Sequence, residues 1–173
     1  MIEFTLVLLP MLGFVFLLLD LGWAVYKRAT LQFAVREGAR FAVTNQLVNK
    51  KDANNKSYGL VDSVKFVVQQ RAMGFLGSTA TDPGYAAIQV RFYDPDASLT
   101  TPAPIATDCN SAVAKAPNSG GNLVEVSIEN YQSRSMAPLL RSAAPLNFTA
   151  RSSDKMEGNP AAGVPRTFNG TCP

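Results

Sequence analysis

The stretch MIEFTLVLLPMLGFVFLLLDLGWAVYKR, residues 1–28, decides how this chain is organised. Between Phe4 and Tyr26 the only charged residue is Asp20, and about 20 predominantly apolar residues are enough for a helix to cross a bilayer. A secretory signal peptide is the main alternative, but it begins with a positively charged region and carries a shorter apolar stretch. Here the residues ahead of the apolar stretch, Met1-Ile2-Glu3, carry a negative charge, so we predict a transmembrane or filament-core helix over residues 1–26.

Helix-forming sequence continues beyond the apolar stretch, through YKRATLQFAVREGARFAVTNQ. The pattern predicts one helix from about Phe4 to about Thr44. Its second half is amphipathic, because apolar residues recur there at spacings of three or four while charged residues lie elsewhere. The apolar residues on this predicted face are Leu31, Val35, Ala39 and Ala42.

Small residues recur at every fourth position of the second half, at Ala34, Gly38 and Ala42. Such a strip lets another backbone approach the helix closely. The sequence leaves two partners open: a neighbouring subunit, or the globular domain of the same chain. We take the three residues as candidate subunit contacts, with the second interpretation equally compatible with the pattern.

The remainder of the chain predicts a small α+β domain. After the polar stretch NKKDANNKSYG, helical spacing predicts a second helix over about 60–75. Alternating apolar residues then predict strands over about 86–93, 123–130 and 145–152. A small antiparallel sheet with one face on the long helix buries these apolar positions most simply. Within each strand the alternate apolar residues should share a face: Ile88, Val90 and Phe92 in the first, Val124, Val126 and Ile128 in the second, and Leu146, Phe148 and Ala150 in the third.

Composition narrows the classes of function. The chain has no histidine, so Ser-His-Asp and Cys-His catalytic sites are impossible, and no phosphate-binding or dinucleotide-binding glycine motif is present. Glu125 and Glu129 are a possible carboxylate pair, but a solvated strand face explains them better. The sixteen Lys and Arg residues are scattered, which does not favour nucleic-acid binding. We predict no enzyme, no metal and no cofactor.

The two cysteines lie in segments rich in proline. Cys109 is in the long stretch between the first two strands, and Cys172 is in the tail. A disulfide is the simplest interpretation, and two free thiols are the alternative. In an oxidising compartment, a bridge closing about 60 residues would stabilise the fold by roughly 4 kcal/mol in the chain-entropy model.

The N-terminal quarter resembles the TadE-like pseudopilins, minor pilin-like proteins of tight-adherence (Tad) pili. The resemblance rests on Glu3-Phe4, on Pro10 within the apolar run, on Asp20 before the run ends, and on the motif Arg36-Glu37-Gly38-Ala39-Arg40. The strand-rich half, including LVEVSIENYQSRSMAPLL and ARSSDKMEG, is similar to the looser part of the family pattern.

The resemblance implies assembly by subunit packing. In type IV pilin-like proteins a prepilin peptidase cuts a precursor, so we expect a basic leader ending in Gly to precede Met1. The resemblance also implies that Glu3 pairs with the α-amino group of a neighbouring subunit, since an opposite charge compensates the desolvation of a buried acid. Phe4 and Asp20 are further candidate subunit contacts. The expected partners are other pilin subunits, the Tad assembly machinery and the membrane.

The expected location is the bacterial cytoplasmic membrane, crossed once, with residues 27–173 on the periplasmic or extracellular side. Lys27, Arg28, Arg36 and Arg40 after the span oppose this orientation, but long domains translocate largely regardless of charge. Two alternatives stay open: a major filament-forming pilin, and a membrane-tethered domain that binds a ligand or polysaccharide.

We predict that Cys109 and Cys172 form a disulfide in freshly isolated protein, because the domain is expected outside the cytoplasm. Non-reducing peptide mass spectrometry should recover the two cysteines in one linked peptide pair that reduction separates. Two thiols that react with an alkylating agent before reduction would contradict the prediction.

Overall fold

The fold is α+β, as the sequence predicts. The structure is a computed structural model that describes residues 2–50, 57–96, 99–103, 120–133, 145–157 and 171–172. A long helix is followed by a small domain of helices and antiparallel strands. In chain order the elements are α1 (Ile2–Val43), β1 (Ser57–Tyr58), α2 (Leu60–Arg71), α3 (Pro83–Ala87), β2 (Ile88–Tyr93), β3 (Leu123–Ser133), β4 (Leu146–Lys155) and β5 (Thr171–Cys172).

Helix α1 contains 42 residues and is therefore about 63 Å long. The helix continues without a break, although Pro10 lies inside it. Burial divides it in two: the described side chains before Lys27 are exposed or half-buried, and Lys27 is buried. Asn45, with φ 53°, has the left-handed conformation common after a helix C-terminus.

Three strands form the main sheet, in the order β2-β3-β4, with both pairs antiparallel. Their alternate apolar residues face the core, as the period of two predicts, and Val124, Val126 and Ile128 of the central strand are fully buried. Leu146 is the exception to the predicted face, because its side chain remains 49% exposed. A bulge between Ile128 and Tyr131 interrupts the pairing of β3 with β4.

Other differences from the predicted elements occur where the chain turns. Helix α2 ends at Arg71, four residues before the end that the pattern predicts. There the chain reverses through Met73 and Gly74, both with positive φ, and the buried Gln69 side chain donates to the carbonyl oxygens of Leu76 and Thr79 at 3.2 and 2.9 Å. Sequence reasoning also missed α3 and the short β1-β5 pair, in which Ser57 lies opposite Cys172.

The second half of α1 packs against α2 and the sheet, and this contact forms the core. Its small-residue strip faces inward: Ala34 and Ala42 have no exposed surface, and a Cβ at Gly38 would overlap Cγ2 of Val68 on α2. These three residues therefore contact the chain's own domain, the second of the two partners that the sequence leaves open. Glycine at position 38 lets α1 and α2 approach this closely.

Cys109 lies outside the described residues, as does the side chain of Cys172. The predicted disulfide therefore stays a prediction. The predicted division into residues 1–26 and 27–173 also stays a prediction.

Replacing Gly38 with Ala should lower the free energy of unfolding of the domain by about 1 to 3 kcal/mol, because the added methyl group overpacks the contact with Val68. Chemical denaturation in detergent micelles measures the change. Gly22→Ala is the matched control, since a Cβ there meets nothing within 4 Å.

Val68→Ala provides the second arm of this test. Combined with Gly38→Ala, it should cost less than the sum of the two single changes, because the methyl group of Val68 is then absent. Additive costs, or a Gly38→Ala variant as stable as wild type, would contradict the proposed contact.

Candidate functional site

The first half of α1 presents an apolar surface, with Asp20 as its one charged residue after Glu3, that the other described parts of the chain leave largely exposed. The apolar stretch from Phe4 to Tyr26 is about 35 Å long, which exceeds the hydrocarbon thickness of a bilayer, about 30 Å. Within the described residues one helix is long and apolar enough to cross a membrane; its best 18-residue window has a mean hydropathy of 2.2 and is not buried. This surface is suited to lipid or to other apolar helices.

The candidate subunit contacts on this surface are Glu3 and Phe4 at its start and Asp20 nearer its other end. Glu3 is exposed in the first turn, and the Phe4 side chain is 71% exposed. Asp20 is half-buried and lies about 25 Å further along the axis. The structure thus leaves Glu3 and Phe4 open to a partner, and their role as subunit contacts stays a prediction.

Aromatic residues mark the boundary between the exposed half of α1 and the domain. The Trp23 and Tyr26 rings stack with centroids 5.6 Å apart, and both meet Phe75 edge-on at 5.8 and 6.0 Å. Lys27 lies beside them, with its Nζ 5.5 Å from the Trp23 and Phe75 centroids, and donates a hydrogen bond to Ser133 Oγ. This cluster joins α1 to the turn after α2.

The Arg36-Glu37-Gly38-Ala39-Arg40 motif divides between the core and the surface. Gly38 and Ala39 are buried, whereas Arg36 and Arg40 are exposed and Glu37 is half-buried. A groove of about 440 Å³ lies on the surface between the end of α1 and α2. It is lined by Glu37, Arg40, Phe41, Thr44, Gln46, Val67, Gln70 and Arg71. The motif therefore both builds the core and supplies charge to an open groove.

An ion-pair network covers the sheet face that points away from α1. Arg91 on β2 binds Glu129 on β3 through two hydrogen bonds, of 2.6 and 3.0 Å, and its Nη1 lies 3.4 Å from Glu125. Arg151 on β4 donates to Glu129 at 3.2 Å. Glu125 and Glu129 therefore share an arginine across the sheet, an arrangement that neutralises them and does not favour acid–base catalysis.

The network shifts the acidity of Glu129. Hydrogen bonds from Arg91, together with its charge, lower the pKa of Glu129 from 4.5 to about 2, with smaller contributions from Ser127 and Arg151 and against the effect of desolvation. The same pairing raises the pKa of Arg91. Sequence reasoning noticed both glutamates but missed Arg91 and Arg151. Opposite charges on alternate strand positions were the available signal, but the strand register was needed to pair them.

No cluster of three or more His, Cys, Asp or Glu side chains suited to a metal ion occurs in the part of the chain that the structure describes.

Comparison with known protein families finds a match, and it falls on α1. The family model described as TadE-like protein matches residues 1–40, which include the apolar stretch and the Arg36–Arg40 motif. The resemblance inferred from these motifs is confirmed over this part of the chain. No curated protein and no solved structure matches the chain.

Replacing Glu129 with Gln should reduce the acid sensitivity of the domain. A carboxylate whose pKa falls on folding, here from 4.5 to about 2, stabilises the folded state fully above the unfolded pKa, and this contribution is lost as the pH falls through the folded pKa. The free energy of unfolding should therefore fall less for Glu129→Gln than for wild type between pH about 4.5 and about 2.

Chemical denaturation across this pH range measures the difference. Glu157→Gln, which changes an exposed glutamate outside the network, should keep the wild-type slope. Equal slopes for wild type and Glu129→Gln would contradict a stabilising role for the network.

Proposed function

We propose that this chain is a membrane-anchored minor pilin or pseudopilin of a tight-adherence pilus. It acts in pilus assembly or adhesion by packing against other subunits, not by catalysis. The observation that carries the proposal is the TadE-like match over residues 1–40, because it falls on a helix whose first half is exposed and apolar. The match supports a protein associated with Tad pili, and the minor-subunit role is the further step that we propose.

Membrane insertion of the first half of α1 follows from its apolar surface. Exposing this surface to water is unfavourable by roughly 25 cal/mol for each Å², and either a bilayer or the core of a filament removes that cost. We propose a single span, with the domain on the periplasmic or extracellular side of the cytoplasmic membrane. The long domain is compatible with translocation despite Lys27 and Arg28.

The surface of α1 beyond the span offers a contact for neighbouring subunits. The Phe33 side chain is 51% exposed, and Arg36 and Arg40 follow it by three and seven residues, on the same side of the helix. The groove that contains Arg40 and Arg71 lies next to this side. We propose that this surface, and not the buried small-residue strip, packs against other pilin subunits or the Tad assembly machinery.

Glu3 is proposed to set the position of the chain relative to its neighbour. A carboxylate within a bilayer costs at least about 2.5 kcal/mol on insertion scales, so such residues are usually paired or functional. Its exposed place in the first turn of α1 allows it to meet the α-amino group of another subunit. If a prepilin peptidase removes a leader from a precursor, that cleavage generates the free amino group.

Replacing Glu3 with Ala should abolish piliation while leaving a folded, membrane-inserted monomer, because the carboxylate serves a contact between subunits and not the fold. Electron microscopy of cells counts the pili, and membrane fractionation measures the monomer. Glu157→Ala, in the exposed part of the domain, is the control and should leave piliation unchanged.

Normal piliation by Glu3→Ala at normal expression would contradict the role proposed for Glu3. The composition of purified wild-type filaments separates the two subunit classes: a minor pilin is a trace component, whereas a chain that dominates the filament is the major pilin.

A further inference from the structure

We propose that the end of the domain nearest the apolar half of α1 is embedded in the headgroup layer of the membrane, so that the domain rests on the bilayer. Two segments make this contact, on different sides of α1: the turn Met73–Phe75 and the start of β4 at Leu146. The inference rests on the membrane insertion of α1 that we propose above.

The turn Met73–Phe75 is fixed at the level where the apolar stretch ends. The Phe75 ring contacts the rings of Trp23 and Tyr26, and the Tyr26 hydroxyl donates to the Met73 sulfur at 3.2 Å. The carbonyl oxygen of Phe75 also accepts a 2.7 Å hydrogen bond from Tyr131 on β3. When Trp23 and Tyr26 lie at the membrane surface, this packing holds the turn at the same depth.

The turn presents an apolar side chain outward. Met73 is 67% exposed, although it lies in the domain where most large apolar side chains are buried. It has φ 50°, in the left-handed region that is uncommon for residues with a Cβ. Gly74 follows with φ 83° and has open space around it. A strained backbone that exposes a methionine beside an aromatic cluster is suited to contact with lipid.

The start of β4 provides the second contact. A groove of about 380 Å³ between α1 and β4 is lined by Ala24, Val25, Arg28, Leu146, Asn147, Phe148 and Thr149. Val25 and Leu146 are 61% and 49% exposed, so the groove continues the apolar surface of α1 onto the domain. Arg28, one turn further from the span than Ala24, adds a positive charge at the level where lipid phosphates lie.

Lipid is the occupant favoured by these observations, because the residues match the usual order across a membrane interface. Apolar side chains come first, Trp23 and Tyr26 follow at the boundary, and the exposed cation Arg28 comes next. Trp and Tyr concentrate at the headgroup level on both sides of a membrane, and Arg28 lies at the depth of the lipid phosphates. A neighbouring subunit covering the same end is the competing occupant.

Depth-dependent fluorescence quenching tests the inference on the full chain. Trp23 is the only tryptophan, so Trp23→Phe combined with Met73→Trp places one probe in the turn. Trp23→Phe with Leu146→Trp probes the second contact. Trp23→Phe with Leu99→Trp is the control. Leu99 is 59% exposed, and it follows the C-terminal end of β2, which lies at the end of the sheet away from Leu146.

Each variant is reconstituted into vesicles of phosphatidylcholine and phosphatidylglycerol that contain a lipid with a nitroxide close to its headgroup. We expect quenching severalfold stronger at positions 73 and 146 than at position 99. Circular dichroism and unchanged unfolding midpoints identify the folded variants, and either of the two probe positions is sufficient for the test.

The wild-type chain separates the two levels of the proposal. If Trp23 is quenched but positions 73 and 146 behave like position 99, the domain does not rest on the membrane and the inference is wrong. Shielding of position 73 by a neighbouring subunit gives this same overturning result. If Trp23 itself is not quenched, the membrane insertion of α1 is wrong, and the inference fails with it.

Discussion

The second half of α1 packs against α2 and the sheet and supplies one side of the domain's core. Leu31, Val35 and Ala39 are at most 2% exposed, so this part of α1 belongs to the core of the domain. The exposed first half is the same unbroken helix. No linker separates this exposed half from the domain, and the orientation of one therefore determines the orientation of the other.

The elements marked by a regular spacing of apolar residues could be predicted from the sequence. The apolar run and the three- and four-residue spacings predicted α1, and the alternation around Val126 predicted the central strand. The partner of the small-residue strip could not be predicted, because Ala34 and Gly38 permit close approach by any helix. Only the three-dimensional packing shows that Val68 of the same chain occupies that side.

Sequence reasoning missed other features because each depends on which groups the folded chain brings into contact. The end of α2 follows from Gln69 binding carbonyl groups in the next turn, and the pairing of Arg91 with Glu129 follows from the strand register. Leu146 has the alternation of a core residue but lies beside the exposed part of α1. A sequence shows which residues are charged or apolar, but it does not show which groups pair with the charges or cover the apolar side chains.

In the function that we propose, α1 anchors the chain in the membrane and holds the domain outside the cytoplasm. Protease treatment of spheroplasts from expressing cells tests this arrangement, and alkaline extraction separates inserted from peripheral fragments. We expect external protease to remove the domain and to leave a small N-terminal fragment that resists extraction. A full-length chain that is protected in intact spheroplasts, and digested only after lysis, would contradict it.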